Sequence, residues 1–314
     1  MELTIGVDVG GTKIAAGVVD LAGTVIDEVR VSTPASTAES VERGIVTAVQ
    51  QLADKHPVTA VGVAIAGFVD ENRSFLRFAP NLPMAERPLR DIIAVATGLP
   101  VVIENDANAA AWGEYRFGGG RGSADVVMLT VGTGLGGGIV HGNRLLRGAF
   151  GVAGEVGHLR MVPGGLPCGC GNRGCWEQYT SGSALIRSAR ALARSMPDRG
   201  ARLLEFAGGD PEGISGGMVT RAAAEGDPAA RELLAGVGRW LGEGIADLAN
   251  LLDPAAVVVG GGVCEAGDLL LEPARAAYLA LLSGAAHRPK LRIVAAELGN
   301  GAGLIGAADL ARHR

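Results

Sequence analysis

Long apolar runs are missing from this sequence. Although 48% of its 314 residues are hydrophobic, no run reaches the roughly 18 apolar residues that a membrane-spanning helix needs. Apolar runs such as those at residues 126–129 and 255–259 have the length of buried strands. The N-terminus has no basic segment ahead of its apolar residues, unlike a signal peptide. We therefore expect a soluble, cytoplasmic protein with no membrane partner.

Positive charge is also sparse. The 28 lysines and arginines are outnumbered by 33 aspartates and glutamates, which gives a net charge of −5. Because nucleic-acid binding depends on positive charge against the phosphates, and no basic cluster is present, nucleic acid is excluded as the expected partner. Only three of the 28 cations are lysines, and one of them, Lys13, lies in a glycine-rich turn. Because lysine is rare in this sequence, we regard Lys13 as a candidate functional residue.

Glycine, in contrast, is abundant. There are 50 glycines among 314 residues, against about 7% in an average protein. Collagen is excluded because the 14 prolines and the glycines show no three-residue period. A disordered linker is excluded by the mean hydropathy of +0.28. The glycines cluster between apolar runs, so we expect them at turns and at close approaches of the backbone to a ligand.

The order of apolar segments is typical of an α/β protein. Strands are predicted at residues 3–9, 13–19, 24–32, 58–66 and 100–103, and helices at residues 40–55 and 107–115. The order strand, Gly-Thr turn, strand, turn, strand recurs roughly 120 residues further on. The second set lies at residues 125–131, 135–140 and 144–147. We interpret this as an internal duplication that produces two lobes.

The C-terminal half is predicted to be mainly helical. Asp227 and Pro228 offer an N-cap and a proline at the first helical position, ahead of an apolar stripe that continues to Leu252. Strands are expected at residues 256–259 and 291–295, and a last helix at residues 301–312. We expect a small α/β domain of residues 1–106 plus 301–314 and a large α/β domain of residues 107–300.

Three matches to G-x-G-x-x-G begin at Gly132, Gly169 and Gly301. A dinucleotide-binding fold needs a preceding strand, a following helix and an acidic residue about 20 positions later. None of the three has this context, and no P-loop motif occurs. A nicotinamide-dependent dehydrogenase is therefore rejected.

Two glycine-threonine turns between strands are better candidates for phosphate binding. Backbone N–H groups of such turns, together with threonine hydroxyls, can donate to phosphate oxygens. Asp8 at a strand end could hold Mg²⁺, and glycines after a strand at 256–259 suit backbone approach to a nucleoside. The alternative is a pair of ordinary tight hairpins. The residues concerned are Asp8, Gly10, Gly11, Thr12, Lys13, Gly132, Thr133, Gly134, Gly261 and Gly262.

This duplicated arrangement resembles the actin-like (ribonuclease H-like) ATPase and sugar-kinase superfamily. The resemblance implies ATP bound in a nucleotide and sugar cleft between two lobes.

Three of the four cysteines lie close together in the sequence. With His158 they form the pattern H-x9-C-x-C-x4-C, through Cys168, Cys170 and Cys175. Three thiolates and one imidazole complete a tetrahedral zinc site, so the metal is expected to be structural. The alternative for each cysteine alone is a small buried apolar residue. Cys264 stands apart and is interpreted as packing.

Acidic residues flank this cluster. Glu155 precedes His158 by three positions, and Glu177 follows Cys175 by two. Zinc on one nitrogen of His158 would leave the other nitrogen free to form a hydrogen bond. The metal could thereby position a polar surface of Glu155, His158 and Glu177 that suits sugar hydroxyls.

At these residues the sequence resembles the ROK family of repressors and sugar kinases. The resemblance lies in Glu155-Val-Gly157-His158 and in the segment from Cys168 to Glu177, and it extends through the loops at residues 8–13, 104–106, 132–138 and 260–262. It implies an ATP-dependent hexose kinase that phosphorylates glucose at its 6-hydroxyl, with ATP and Mg²⁺, zinc on the four residues above, and a homodimer or homotetramer. The first strand begins at Leu3 without a DNA-binding motif ahead of it, which favours a kinase over a repressor.

The resemblance also assigns the chemistry. Asp106, between a strand and a helix, is expected to be the general base; its alternative role is an N-cap. Glu104 is expected to point the other way. Sugar binding is assigned to Asn105, Asp106, Glu155, His158, Glu177, Asn81 and Gly67.

Several alternatives remain at this point. Kinases of the same family that act on N-acetylmannosamine, fructose or allose share most of these motifs. A sugar sensor without catalysis would need to lack the base, and Asp106 is present. Polyphosphate is a less favoured donor than ATP because no long basic channel is evident.

Overall fold

A computed structural model of the chain describes residues 2–34 and 36–313. The strands are β1 (Leu3–Val9), β2 (Lys13–Val19), β3 (Val25–Ser32), β4 (Val58–Ile65), β5 (Phe68–Val69), β6 (Leu76–Ala79), β7 (Met84–Arg87), β8 (Val101–Asn105), β9 (Val126–Val131), β10 (Leu135–His141), β11 (Arg144–Leu145), β12 (Ala256–Gly260) and β13 (Arg292–Ala295). The helices are α1 (Ala38–Ala53), α2 (Leu89–Thr97), α3 (Asp106–Phe117), α4 (Gly182–Ser195), α5 (Ala201–Phe206), α6 (Gly216–Ala224), α7 (Pro228–Leu252), α8 (Asp268–Leu281) and α9 (Ala302–Leu310). None of the helices in these described ranges combines the length and apolar character needed to span a membrane.

The first five-stranded sheet has the order β3-β2-β1-β4-β8. Strands β1, β2 and β3 are antiparallel neighbours, whereas β4 pairs in parallel with both β1 and β8. Side chains such as Ile5, Val7 and Ile103 enter a core that α1 covers with Ile45 and Leu52. The near-continuous apolar runs of β1 and β4 are what such doubly covered strands require.

The second five-stranded sheet has the order β11-β10-β9-β12-β13. Its edge pair β10 and β11 is antiparallel and its other edge pair β12 and β13 is parallel, as in the first sheet. The same strand order in both sheets confirms the predicted α/β duplication.

The chain forms two compact units. Unit 1 comprises Met1–Met128, Gly137–Gly154 and Ala296–Arg314, and unit 2 comprises Leu129–Gly136 and Glu155–Ala295. The predicted boundaries placed residues 107–128, 137–154 and 296–300 in the large domain, whereas these residues belong to unit 1. For residues 107–128 the physical reason is the contact of α3 with α9, where a Cβ on Gly306 would lie 1.8 Å from the carbonyl oxygen of Ala109.

Helix α9 also lies directly on the first sheet. A Cβ on Gly6 of β1 would lie 1.9 Å from the carbonyl oxygen of Leu304, and a Cβ on Gly62 of β4 would lie 1.8 Å from that of Ala307. Glycine at these two positions lets the helix backbone touch the strands, so part of the glycine excess is used for packing.

The predicted helix starts and the regular strands agree with the structure. Asp227 caps α7 by accepting a hydrogen bond from the Ala230 N–H at 2.7 Å, and Pro228 is its first residue. The small three-stranded sheet β5-β6-β7 and helix α2 were not predicted. These strands have two to four residues, too few for an alternating pattern to be recognised.

Candidate active site

Asp106 lies where β8 ends and α3 begins. The N-cap of α3 is Asn105, whose Oδ1 accepts a hydrogen bond from the Asn108 N–H at 3.0 Å, and Asp106 is the first helical residue. Burial raises the pKa of the Asp106 carboxyl, while the backbone N–H groups of Ala107 and Asp106 lower it. Since Asn105 provides the cap, the carboxylate of Asp106 is left for another role.

Asn105 also links two of the predicted sugar-binding residues. Its Nδ2 donates a hydrogen bond to the carbonyl oxygen of Gly67 at 3.1 Å. Asn81 lies elsewhere in unit 1, in the turn before β7, where its carbonyl oxygen is 3.3 Å from the position of a Cβ on Gly11. The structure therefore brings Asn105 and Gly67 together and places Asn81 beside the first glycine turn.

The first glycine turn is held in a fixed shape. The Gly10 N–H donates to the carbonyl oxygen of Lys13 at 3.0 Å. Thr33 donates twice, from its hydroxyl to the Gly10 carbonyl at 2.7 Å and from its N–H to the Thr12 carbonyl at 3.0 Å. Thr33 was not predicted, because it reaches the turn only through the pairing of β2 with β3.

Asp8 stands at the end of β1, next to this turn. Burial and then the negative charge of Asp106 raise the pKa of Asp8 to about 6, and Lys13 lowers it. A Cβ on Gly303 would lie 3.6 Å from the Asp8 carboxyl carbon, so Asp8 also faces the first turn of α9. Two neighbouring carboxyl groups in a buried place form an arrangement that a divalent cation would stabilise.

Glu104 does not join this pair of acids. Its buried carboxylate instead contacts Arg73 and Arg147. This agrees with the expectation that Glu104 and Asp106 point in different directions.

In unit 2, the second glycine turn lies against the start of α4. The carbonyl oxygen of Gly132 accepts from the Gly182 N–H at 2.7 Å, and that of Thr133 accepts from the Ser183 hydroxyl at 2.8 Å. A third bond, from the Gly132 N–H to the Gly134 carbonyl at 3.0 Å, closes the turn. Ser183 is thus a further residue of this turn that was not predicted from the sequence.

Gly261 connects this turn with the glycines that follow β12. Its φ is +89°, and a Cβ would lie 2.6 Å from the carbonyl carbon and oxygen of Val131. No side chain fits there, so glycine is required both by conformation and by space. Gly262 follows at the start of a short 3₁₀ helix. The nucleotide residues predicted in unit 2 are therefore adjacent to one another.

The predicted metal ligands also converge. One donor atom from each of His158, Cys168, Cys170 and Cys175 lies within 4.8 Å of the others. Cys168 Sγ is 3.8 Å from His158 Nδ1, and Cys170 Sγ is 3.6 Å from Cys175 Sγ. Ligands of a tetrahedral zinc ion with Zn–S bonds of about 2.3 Å are separated by about 3.8 Å. The cluster therefore fits a zinc ion.

Two thiols of the cluster differ in acidity. The backbone N–H of Asn172 is the main cause that lowers the pKa of Cys170 to about 7, which favours the metal-binding thiolate. Burial, followed by a hydrogen bond with Glu177, raises the pKa of Cys168 to about 12. A metal bound at Cys168 must therefore displace its proton.

The two acids that flank the cluster lie on different sides of His158. Glu155 Oε2 is 3.9 Å from Nε2 of His158, whereas Nδ1 faces Cys168. Glu177 Oε1 accepts from the Cys168 thiol at 2.8 Å, and its Oε2 would be 2.8 Å from a Cβ on Gly134. Glu155, His158 and Glu177 are thus brought together in unit 2. Cys264 lies outside the cluster, where its thiol donates to the Val259 carbonyl at 3.0 Å.

Comparisons with known proteins cover the whole chain. A sequence model of the ROK family matches residues 4–314. A glucokinase from Streptomyces coelicolor is 53% identical over 313 residues, which is 100% of this chain and 98% of that protein. An N-acetylmannosamine kinase from Escherichia coli is 36% identical over 313 residues, 98% of each. The crystal structure of a ROK family glucokinase from Streptomyces griseus in complex with glucose and AMPPNP superimposes with a TM-score of 0.89 at 53% identity, over 99% of this chain and 100% of that one.

Proposed function

This chain belongs to the ROK family, and on that basis we propose that it transfers a phosphoryl group from ATP to the 6-hydroxyl of glucose, giving glucose 6-phosphate and ADP. The observation that carries the proposal is its full-length similarity, at 53% identity, to a glucokinase whose structure holds glucose and AMPPNP. The actin-like α/β duplication described above is the scaffold for this reaction.

Asp106 is the general base of the proposed reaction. Phosphoryl transfer needs a group that accepts the hydroxyl proton as the alcohol oxygen attacks phosphorus. Burial raises the pKa of Asp106 toward the operating pH, which makes its carboxylate a better proton acceptor. Its position at the N-terminus of α3 limits that rise and keeps the ionised form accessible.

Nucleotide binding is proposed for the first glycine turn in unit 1 and, in unit 2, for the second glycine turn with Gly261 and Gly262. The N–H groups of Gly10 and Gly132 donate within their turns, so the other backbone N–H groups of the turns, with Thr12, Thr133 and Lys13, would bind the phosphates, and Asp8 would hold Mg²⁺. When bound, Mg²⁺ neutralises charge on the phosphates. Support comes from the fixed shape of both turns and from the raised pKa of Asp8.

Sugar recognition is proposed separately for residues of each unit. In unit 1 the candidates are Asn105, Asp106, Gly67 and Asn81, and in unit 2 they are Glu155, His158 and Glu177. The Asn105–Gly67 hydrogen bond and the grouping of the two glutamates around His158 support these roles. Zinc held by His158, Cys168, Cys170 and Cys175 would fix the orientation of the imidazole and would leave Nε2 for Glu155 and the sugar.

N-acetylmannosamine is the second candidate substrate, because a kinase for it is 36% identical over nearly the whole chain.

An assay that couples ADP release to a spectroscopic signal tests the assignment of the substrate. It is run with glucose, N-acetylmannosamine, fructose and allose. We expect the highest kcat/KM with glucose and ATP. A higher value with another sugar would transfer the proposal to that sugar, and turnover with polyphosphate but not ATP would reassign the donor.

A further inference from the structure

Glu104, directly before the proposed sugar residue Asn105, is a buried carboxylate with two cationic partners. Only 1% of its side chain is exposed. Its Oε2 lies 3.0 Å from Nε of Arg73 and 2.8 Å from Nε of Arg147, whose side chains are 21% and 10% exposed. Burying such a group is costly unless each oxygen is satisfied.

The second oxygen of Glu104 is used on the catalytic segment itself. Oε1 accepts from the backbone N–H of Asn105 at 3.0 Å and from Nδ2 of Asn108 at 3.2 Å. These bonds hold residues on both sides of Asp106. The carboxylate therefore fixes the junction between β8 and α3 through Asn105 and Asn108, and the Asn105 side chain in turn donates to Gly67.

Arg147 extends this network to the loop after β5. Its two terminal nitrogens donate to the carbonyl oxygens of Asp70 and Glu71, both at 2.7 Å. Asp70 in turn accepts from the N–H groups of Ser74 at 2.7 Å and Phe75 at 2.8 Å. One guanidinium thus joins Glu104 to the loop at Asp70 and Glu71, which β5 separates from Gly67.

We propose that Glu104 and Arg147 are positioning residues for phosphoryl transfer. They hold Asn105, and through it Gly67, in the arrangement that receives the sugar, and they fix the backbone that carries Asp106. Neither is proposed to touch the substrate. The inference rests on the proposed kinase function and adds to it the residues that set the geometry on the sugar side.

Arg147→Lys tests this proposal. A lysine keeps the positive charge beside Glu104, but its single ammonium group cannot also reach the carbonyls of Asp70 and Glu71. We expect kcat/KM for glucose to fall by about 10- to 100-fold, since small displacements of reacting groups cost about that much. The KM for ATP should stay within about twofold of wild type, and the acid limb of the pH profile should keep its midpoint, because Asp106 is intact.

Arg87→Lys is the matched control. Arg87 likewise pairs with a buried carboxylate, that of Glu42, which it contacts through two nitrogens at 2.8 and 3.0 Å between β7 and α1. It has no proposed part in binding or catalysis. We expect it to lower the Tm as Arg147→Lys does but to leave kcat/KM for glucose unchanged.

Equal, near-wild-type kinetics in both variants would overturn the positioning role and leave the kinase function intact. Wild-type protein that phosphorylates none of the hexoses would overturn the kinase function instead.

Glu104→Gln gives the same test if Arg147→Lys does not fold. Glutamine keeps an acceptor for the Asn105 N–H but loses the charge that holds both arginines. For this variant, the rise in Tm produced by glucose should shrink relative to that of wild type, and an unchanged rise with unchanged kcat would contradict the proposal.

Discussion

The carboxyl groups of Asp8 and Asp106 interact: burial, and after it the negative charge of Asp106, raise the pKa of Asp8 from 3.8 to about 6. Asp106 has a raised pKa as well, mainly because it is buried. A protein gains nothing in stability from two such acids side by side. They are the kind of feature expected where a cation and a proton are handled during a reaction.

Asp8→Asn should therefore stabilise the protein at pH 7.5 in the absence of Mg²⁺ and nucleotide. Because the folded chain holds the Asp8 proton more tightly than the unfolded chain, this carboxylate destabilises the fold above pH 6 and the effect disappears as the pH falls toward 4. A shift from 3.8 to about 6 sets an upper limit of about 3 kcal/mol.

Chemical unfolding of wild type and Asp8→Asn from pH 4 to 8 measures this difference. The difference in the free energy of unfolding between Asp8→Asn and wild type should be largest at pH 7 to 8 and should vanish near pH 4. Asp198→Asn, at an exposed position, should show no such difference from wild type. Equal stabilities of wild type and Asp8→Asn at pH 7.5 would contradict the prediction.

Asp106→Asn should fold and bind glucose but lose about 10²-fold or more in kcat, the usual contribution of a general base. Asparagine cannot accept the proton of the attacking hydroxyl. Calorimetric titration with glucose and steady-state kinetics separate the two effects. Near-normal turnover would remove Asp106 from the mechanism.

Cys168→Ser should lower zinc content and glucose affinity together. Loss of one thiolate weakens the metal site, and the orientation of His158 depends on that site. Elemental analysis and glucose titration of the same preparation give both quantities. Cys264→Ser is the control, because Cys264 lies outside the cluster, and it should leave both unchanged. Purified wild-type protein without zinc would reject the metal assignment.

Gly261→Ala should raise the KM for ATP by about tenfold and destabilise the protein by about 1–3 kcal/mol. The new methyl group would meet the Val131 backbone at 2.6 Å and would displace the adjacent Gly132–Thr133–Gly134 turn. Gly217→Ala on α6 is the control, because a Cβ there has no neighbour within 4 Å. An unchanged KM for ATP in Gly261→Ala would separate Gly261 from the nucleotide site.

Features with a local cause could be predicted from the sequence. The proposed metal ligands share one short segment, the glycine turns follow recognisable strands, and Asp227 with Pro228 marks the start of α7. Each depends on residues close together in the chain, because their separation in the sequence then largely determines their distance in the structure.

Features that depend on distant segments could not be predicted. The carboxylate of Glu114, an apparent surface residue of a helix, is fully buried and accepts from the N–H groups of Gly119, Glu297 and Leu298. Glu104 and Arg147 likewise meet only after folding. A charged residue in a sequence is normally read as exposed, and no pattern states which partner will reach it.

The position of α9 affects how the chain must fold as it is synthesised. This helix covers β1 and β4 so closely that the carbonyls of Leu304 and Ala307 touch the backbone at Gly6 and Gly62, yet it is made after all five strands of that sheet. Until residues 302–310 have emerged, one face of the first sheet has no cover, although its strands were made long before. Nascent chains therefore carry an exposed apolar surface from the synthesis of β8 until that of α9, which is the condition under which chaperones bind and unfinished chains aggregate.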